Sequence, residues 1–144
     1  MIAYDLIGQT PLVLLESFSD ENVKIYAKLE QFNPGGSVKD RLGKYLVEKA
    51  IEDGRLKEGG TIVEATAGNT GIGLAIAANR YKVKCVIYAP EGFSEEKISI
   101  MKALGADVRR TPKAEGMTGA QQEALAYATR YGYLYMNQFE TKDN

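Results

Sequence analysis

The segment TIVEATAGNTGIGLAIAANRY, residues 61–81, decides the fold class of this chain. Thr61–Ala65 is rich in β-forming residues and predicts a strand, whereas Thr70–Tyr81 is rich in small apolar residues and predicts a helix. The glycines of the turn between them permit close approach to the backbone, and the first N–H groups of the helix can bind an anion. Their order from Gly68 to Gly73 is G-x-x-G-x-G rather than the dinucleotide-binding G-x-G-x-x-G, so the turn alone indicates no particular ligand.

Strands and helices alternate on both sides of this segment. The other predicted elements are a helix from Ser37 to Gly54, a strand at Val83–Ala89, a helix from Ser94 to about Gly105, a strand at Ala106–Arg109, a helix at Gln122–Tyr131 and a strand at Tyr133–Met136. Side-chain caps are predicted at Ser37 with Asp40, at Ser94, and at Thr118 with Gln121. This alternation predicts an α/β fold: a small open parallel sheet, with right-handed crossovers, flanked by helices in three αβα layers.

An N-terminal arm precedes the alternating part of the chain. Pro11–Glu16 is a short apolar run, and Val23–Gln31 alternates apolar and polar residues. The two predict strands of a hairpin or meander joined by Ser17–Asn22. We therefore divide the chain into an N-terminal strand arm at residues 1–36 and an α/β subdomain at residues 37–144.

Composition narrows the chemistry that this chain can perform. Its 144 residues include 18 basic and 19 acidic ones, a net charge of -1, so nothing indicates a surface for nucleic acid or anionic membrane. It has no histidine, which excludes Ser-His-Asp triads and His-ligated metals, and we expect no metal site. Acid–base chemistry must come from Lys, Asp, Glu or Tyr, or from a cofactor. No apolar run approaches a membrane span, and the lone cysteine, Cys85, favours a reducing cytoplasm.

Two positions next to the ends of predicted elements are candidates for chemistry. In NPGGSVKDR, residues 33–41, the Pro-Gly-Gly turn leads into the helix, so Lys39 lies in the first helical turn. The helix dipole disfavours a cation there by roughly 0.3–1 kcal/mol, which favours a neutral, nucleophilic amine. Alternatively, Lys39 is a solvated lysine offset by Asp40. Gln138, directly after the last strand, either donates to a ligand at the carboxyl edge of the sheet or is an ordinary polar loop residue.

Six short motifs follow one another along almost the whole chain. They are IGQTPL at 7–12, NPGGSVKDR at 33–41, TAGNTG at 66–71, P-x-x-x-S-x-E-K at 90–97, M-x-A-L-G-A at 101–106 and QF at 138–139. Together they resemble the motifs of the cysteine synthase / cystathionine β-synthase family, pyridoxal phosphate (PLP) enzymes of the tryptophan-synthase-β fold type. The run EATAGNTGIGLA, residues 64–75, is similar to bacterial members assigned to reverse transsulfuration.

The resemblance implies roles for individual residues. Lys39 would carry PLP as a Schiff base and later act as general base at the substrate α-carbon, and Asn69 would hydrogen-bond the ring hydroxyl of the cofactor. The substrate carboxylate would be bound by Thr66, Ala67, Gly68, Thr70 and Gln138. Where a side chain has no donor, the backbone N–H would serve. Ala67 replaces the commoner serine of the family, and the loss of this hydroxyl is expected to alter substrate preference.

The reaction implied by the resemblance is β-replacement. O-acetylserine or serine would react with sulfide or homocysteine to give cysteine or cystathionine, in a cytoplasmic homodimer. The chains of the family are longer, and their later phosphate-cradling loop and pyridine-nitrogen contact have no counterpart in these residues. We therefore expect the strands of the arm to belong to a large domain whose C-terminal remainder is absent. The alternatives are a catalytically inactive, self-associating fragment of such an enzyme, and a nucleotide-binding module supported only by the glycine-rich turn.

Overall fold

The structure, a computed structural model, describes residues 2–144. That range holds a two-stranded antiparallel sheet in the arm and a four-stranded parallel sheet in the remainder. The strands are β1 (Leu12–Leu14), β2 (Tyr26–Lys28), β3 (Thr61–Ala65), β4 (Lys84–Pro90), β5 (Asp107–Thr111) and β6 (Leu134–Tyr135). The α-helices are α1 (Lys39–Glu52), α2 (Asn69–Arg80), α3 (Glu95–Ala103) and α4 (Gly116–Tyr131). The strand order β5-β4-β3-β6 confirms the predicted small parallel sheet.

Helices cover both faces of the parallel sheet. Ile62 and Ile87 belong to a core cluster shared with α1, α2 and α3, whereas Val63 and Val86 belong to a second cluster with Ala124 of α4. Successive residues of a strand point to opposite faces, so the two clusters lie on opposite sides of the sheet. This arrangement confirms the predicted αβα layers. Among residues 2–144, no helix combines the length and the apolar character needed to cross a lipid bilayer.

The arm forms the predicted hairpin, but its regular strands are shorter than predicted. β1 and β2 are antiparallel and span three residues each. Side chains in the connection take up backbone N–H groups that a longer ladder would need: Asp20 accepts from Val23 at 2.8 Å, and the hydroxyl of Ser19 accepts from Ile25 at 3.0 Å. Such local bonds compete with strand pairing, so the longer strands predicted from the apolar pattern are wrong.

The predicted helix caps differ in outcome. Ser94 caps α3 as predicted, because its hydroxyl accepts a backbone N–H of the first turn at 3.4 Å. At α1 the hydroxyl of Ser37 accepts from the N–H of Lys39 at 3.1 Å. The carboxylate of Asp40 bonds to the N–H of Gly35 instead of returning to Ser37, so the predicted reciprocal cap is wrong.

α4 begins at Gly116, earlier than the predicted start at Gln122. A short 3-10 turn at Lys113–Glu115 leads directly into the helix through Gly116, whose φ of 58° favours glycine. Thr118 therefore lies inside the helix, and the capping box predicted there is wrong. The end of α4 is as predicted, with Gly132 in the left-handed conformation that commonly ends helices.

α1 and α2 cross in direct backbone contact at two glycines. A β-carbon on Gly43 of α1 would lie 2.2 Å from the carbonyl carbon of Gly73. One on Gly73 would lie 2.4 Å from the carbonyl oxygen of Lys39. Both distances are far below van der Waals contact, so this crossing requires glycine at both positions. The crossing therefore holds the backbone of Lys39 against α2.

A polar network ties the arm to α1. Arg41 donates to both carboxylate oxygens of Glu30, at 2.8 and 2.9 Å, and to the carbonyl of Gly8 at 2.9 Å. Asn33 accepts from the N–H of Gly8 at 2.8 Å and donates to the carbonyl of Ser37 at 3.0 Å. The guanidinium of Arg41 lowers the pKa of Glu30 to about 2. Residues of the first two motifs therefore fix how the arm approaches α1.

Replacing Arg41 with methionine is expected to lower the free energy of unfolding by more than Arg55→Met does, because the stem is kept but every donor to the arm is lost. Chemical denaturation measures the difference. Because the folded-state pKa of Glu30 lies below its usual 4.5, the ion pair contributes above that pH. Its contribution is lost as the pH falls towards 2. Arg55→Met is the control, since Arg55 forms its ion pairs with Asp53 and Asp143, outside the arm. An equal loss in both variants would contradict this role of Arg41.

Candidate active site

A cleft opens at the carboxyl edge of the parallel sheet, where β3 and β6 end and where α1, α2 and α3 begin. Its volume of about 400 Å³ is within the range of pockets that bind cofactors and small molecules. It is lined by Lys39, Thr66, Ala67, Gly68, Asn69, Thr70, Phe93, Ser94, Lys97, Met117, Gln138 and Phe139. Every residue predicted from the sequence to bind cofactor or substrate is in this set, so one cleft brings them together.

Lys39 is the first residue of α1 and is half-buried in the cleft. Among residues 2–144, no carboxylate comes within 4.0 Å of its ammonium group. Asp40, the counter-charge considered from the sequence, is fully buried and accepts from the N–H of Gly35 instead. The pairing of Lys39 with Asp40 is therefore not formed, and Lys39 lines the cleft without a carboxylate partner.

The loop from Thr66 to Thr70 lines the cleft and leads into α2. The hydroxyl of Thr66 accepts from the N–H of Gly68 at 3.2 Å, which closes the loop on itself. Gly68 precedes the helix in an extended conformation, with φ of -131°. The N–H groups of Asn69 and Thr70 begin the helix and have no acceptor within it. Donors in this position, at the positive end of the helix dipole, bind carboxylates and phosphates.

Gln138 follows β6 and is held beside this loop. Its Oε1 atom accepts from the hydroxyl of Thr70 at 2.7 Å, and its Nε2 atom donates to the carbonyl of Ala65 at 3.3 Å. Its backbone N–H donates to the carboxylate of Glu64 at 2.9 Å. Since an amide nitrogen carries two hydrogens, one hydrogen of Nε2 stays available for a ligand. Gln138 and Thr70 are 68 positions apart in the sequence, and the fold brings them into contact.

Some residues of the cleft were not assigned to the site from the sequence. Phe93, Met117 and Phe139 add apolar surface, and Lys97 adds a second ammonium group. The cap at Ser94 places Lys97 in the first turn of α3. The S-x-E-K motif at residues 94–97 could therefore have predicted that Lys97 lies near the site. The lining contains two lysines and no aspartate or glutamate, so its charge favours an anionic ligand.

Residues 3–144 match the family model described as pyridoxal-phosphate dependent enzyme. The chain belongs to this family, which confirms the resemblance carried by its motifs. It is 51% identical over 142 residues to the O-acetylserine dependent cystathionine beta-synthase of Bacillus subtilis, covering 97% of this chain and 46% of that protein. It is 45% identical over 140 residues to a cysteine synthase of Staphylococcus aureus, covering 96% and 45%. The chain therefore spans about half the length of the curated relatives it matches.

Solved structures are similar over almost all of the chain. The O-acetylserine dependent cystathionine beta-synthase from Helicobacter pylori superposes with a TM-score of 0.89 at 44% identity, covering 99% of this chain and 49% of that one. A cysteine synthase from Entamoeba histolytica superposes with a TM-score of 0.91 at 40% identity, covering 99% and 44%. These structures confirm the predicted fold class.

The residues of the cleft fit PLP, the cofactor of the family. PLP attaches to proteins through its aldehyde and a lysine amine, and Lys39 presents such an amine. PLP also carries a phosphate and a ring hydroxyl, and the lining has no carboxylate that would repel them. Asn69 supplies an amide donor at the start of α2, beside the backbone N–H groups. The donor set therefore suits an anionic aldehyde cofactor.

Proposed function

We propose that this chain forms part of the active site of a PLP enzyme that performs β-replacement. The donor is O-acetylserine or serine, the nucleophile is sulfide or homocysteine, and the product is cysteine or cystathionine. The observation that carries the proposal is the convergence of Lys39, the Thr66–Thr70 loop and Gln138 on one cleft. The names of the Bacillus subtilis and Staphylococcus aureus relatives support the same class of reaction.

Each residue has a role that its position supports. PLP, when bound, acts as an electron sink for the substrate. Lys39 holds the cofactor through its amine and then moves the proton at the substrate α-carbon. Asn69 donates to the ring hydroxyl of the cofactor. The N–H groups of the Thr66–Thr70 loop bind the substrate carboxylate together with Gln138, which orients the α-carbon towards Lys39.

The proposal extends to partners and location. The substrates are a small amino acid and a thiol or sulfide, and the enzyme is a homodimer in the cytoplasm. A second candidate is that these 144 residues alone are a catalytically inactive fragment that associates with itself. The arm favours this candidate, because Leu12, Phe18 and Phe32 are 63%, 71% and 63% exposed, and apolar patches on a surface promote association.

Product analysis tests the proposed reaction. The 144-residue chain is tested alone and within the longer enzyme of which the proposal makes it a part, called here the full-length protein. Each is loaded with PLP and supplied with either donor and either nucleophile. Mass spectrometry should detect cysteine or cystathionine from the full-length protein. No product in any combination would contradict the proposed reaction. Product from the shorter chain would exclude the inactive-fragment candidate.

Replacing Gln138 with alanine is expected to raise the KM for the amino-acid donor roughly tenfold, because one hydrogen bond to a carboxylate is lost. The value of kcat should change much less, since Gln138 is not placed to move a proton. Steady-state kinetics on the full-length enzyme measure both constants. Gln122→Ala is the matched control, because Gln122 is exposed on α4. Equal effects of the two substitutions would count against the assignment of Gln138.

A further inference from the structure

Glu64 is a carboxylate inside the parallel sheet that the proposed reaction does not use. It lies in β3, opposite Ile87 of β4, and its side chain is 0% exposed. A buried carboxylate is costly unless it is hydrogen-bonded or paired with a cation. The reason for a carboxylate at this position must therefore be found in its contacts.

The two carboxylate oxygens of Glu64 accept backbone N–H groups at the edge of the sheet that faces the cleft. Oε1 accepts from Ala65 at 2.7 Å, and Oε2 accepts from Gln138 at 2.9 Å. The backbone ladder between β3 and β6 stops just before this point, with the N–H of Met136 on the carbonyl of Val63 at 2.9 Å. Glu64 therefore supplies the acceptor that the backbone of β3 no longer provides.

The chain bends sharply where Glu64 takes over from the ladder. Asn137 has a φ of 52°, a conformation that turns the chain out of the strand. The next residue, Gln138, is 6% exposed and bonds to Thr70 through its side chain. One series of hydrogen bonds thus runs from Glu64 to Gln138 and on to Thr70, from the sheet interior to the cleft.

No cation balances Glu64 among the groups that face it in the described residues. Burial raises its pKa to about 7, and the N–H groups of Gln138 and Ala65 oppose this shift. The titratable groups that face it are Cys85 of β4 and Tyr135 of β6. Burial, with the nearby Glu64, raises the pKa of each to about 12, so both are neutral at pH 7. Glu64 is therefore not half of a structural ion pair.

We propose that Glu64 is a positioning residue, whose carboxylate holds the backbone of Gln138 so that the Gln138 side chain meets Thr70 at the loop that binds the substrate carboxylate. The inference rests on the proposed function for the identity of the ligand. The hydrogen bonds that link Glu64 to Gln138 and Gln138 to Thr70 are features of this chain and do not depend on the proposed function.

Amide hydrogen exchange tests the positioning without any catalysis. In the full-length protein, exchange at Gln138 should be strongly protected and should accelerate at least about tenfold in Glu64→Gln, which cannot accept at both N–H groups. Mass spectrometry of a peptide covering residues 136–139 measures it. Glu48→Gln is the matched control, because among residues 2–144 Glu48 accepts only from the hydroxyls of Tyr4 and Tyr81, at 3.0 and 2.8 Å. Unprotected exchange at Gln138 in the wild type would overturn the proposal even if the variant did not fold.

Kinetics on the PLP-loaded enzyme test the link from Glu64 to Gln138. Glu64→Gln should raise the KM for the donor roughly tenfold with kcat nearly unchanged, and Glu48→Gln should change neither. In a Gln138→Ala background, Glu64→Gln should raise the KM for the donor by less than about a further twofold, because the two residues act as one unit. A full effect in that background, or none in the wild type, would overturn the inference. A wild type that forms no product contradicts the proposed function instead, and the exchange measurement still tests Glu64.

The pH dependence of stability gives a readout specific to the buried carboxylate. The folded-state pKa of Glu64, about 7, is above its usual 4.5, so the folded protein holds this proton more tightly than the unfolded chain. The contribution of Glu64 to stability is then lost as the pH rises from 4.5 through 7, because the ionised form is costly to bury. The difference in unfolding midpoint between the wild type and Glu64→Gln should therefore change against the wild type as the pH rises from 4.5 to 7. A flat difference would contradict the raised pKa of Glu64 and not its hydrogen bonds, which the exchange measurement tests.

Discussion

Replacing Lys39 with alanine is expected to remove covalent attachment of PLP and to lower β-replacement by roughly 10²–10⁴-fold or more, the usual contribution of a positioned proton-transfer group. Lys39 lies in the first turn of α1 and lines the same cleft as the Thr66–Thr70 loop. Alanine keeps the helix but leaves no nucleophile at this position. The loss should therefore affect both cofactor attachment and turnover.

The measurement must identify which lysine is modified, because Lys97 lines the same cleft. Borohydride reduction of the PLP-loaded, full-length protein followed by peptide mass spectrometry locates the modified residue. Label on Lys97 in the wild type, or label and activity that persist in Lys39→Ala, would refute the assignment. Lys44→Ala serves as the control for loss of a lysine from α1, since Lys44 stacks over the ring of Tyr4, 5.0 Å from its centre.

Replacing Gly73 with alanine is expected to lower the free energy of unfolding by about 1–3 kcal/mol, the usual cost of overpacking. The added β-carbon would lie 2.4 Å from the carbonyl oxygen of Lys39 and 3.2 Å from the α-carbon of Asp40. Both neighbours are backbone atoms that cannot rotate away, so α1 and α2 must separate. The displacement acts on Lys39 itself, so attachment of PLP should weaken with stability.

Close helix packing and helix propensity predict opposite effects of Gly73→Ala on stability. Helix propensity alone favours alanine over glycine inside a helix by about 1 kcal/mol, so an open position would gain stability. Denaturant unfolding of the wild type and Gly73→Ala shows whether stability is lost, as close packing predicts, or gained, as helix propensity predicts. Gly68→Ala is the control for stability, because a β-carbon on Gly68 would meet no atom of residues 2–144 within 4 Å and its φ is -131°. A Gly73→Ala protein as stable as the wild type would show that the helices do not cross closely.

Local patterns in the sequence correctly predicted those elements whose structure depends on neighbouring residues. The apolar runs at β3 and β4 and the small-residue helix between them follow from side-chain periodicity, which acts over a few residues. Buried Cys85 belongs to the same pattern. The predicted cap at Ser37 and the capping box at Thr118 were wrong because a suitable spacing does not say which N–H is nearest. Asp40 binds Gly35, and α4 starts at Gly116.

The sequence by itself determined the α/β class, the family and the residues that could line a site, because strand–helix alternation and short motifs are properties of adjacent positions. Only the tertiary structure decided how these residues meet. The contact of Gly73 with Lys39 depends on a helix crossing, and Glu64 reaches Gln138 across 74 positions. Such contacts depend on strand register and on the packing of whole elements, which no local pattern specifies. Glu64, which looked like one more residue of a strand, became a positioning residue only through them.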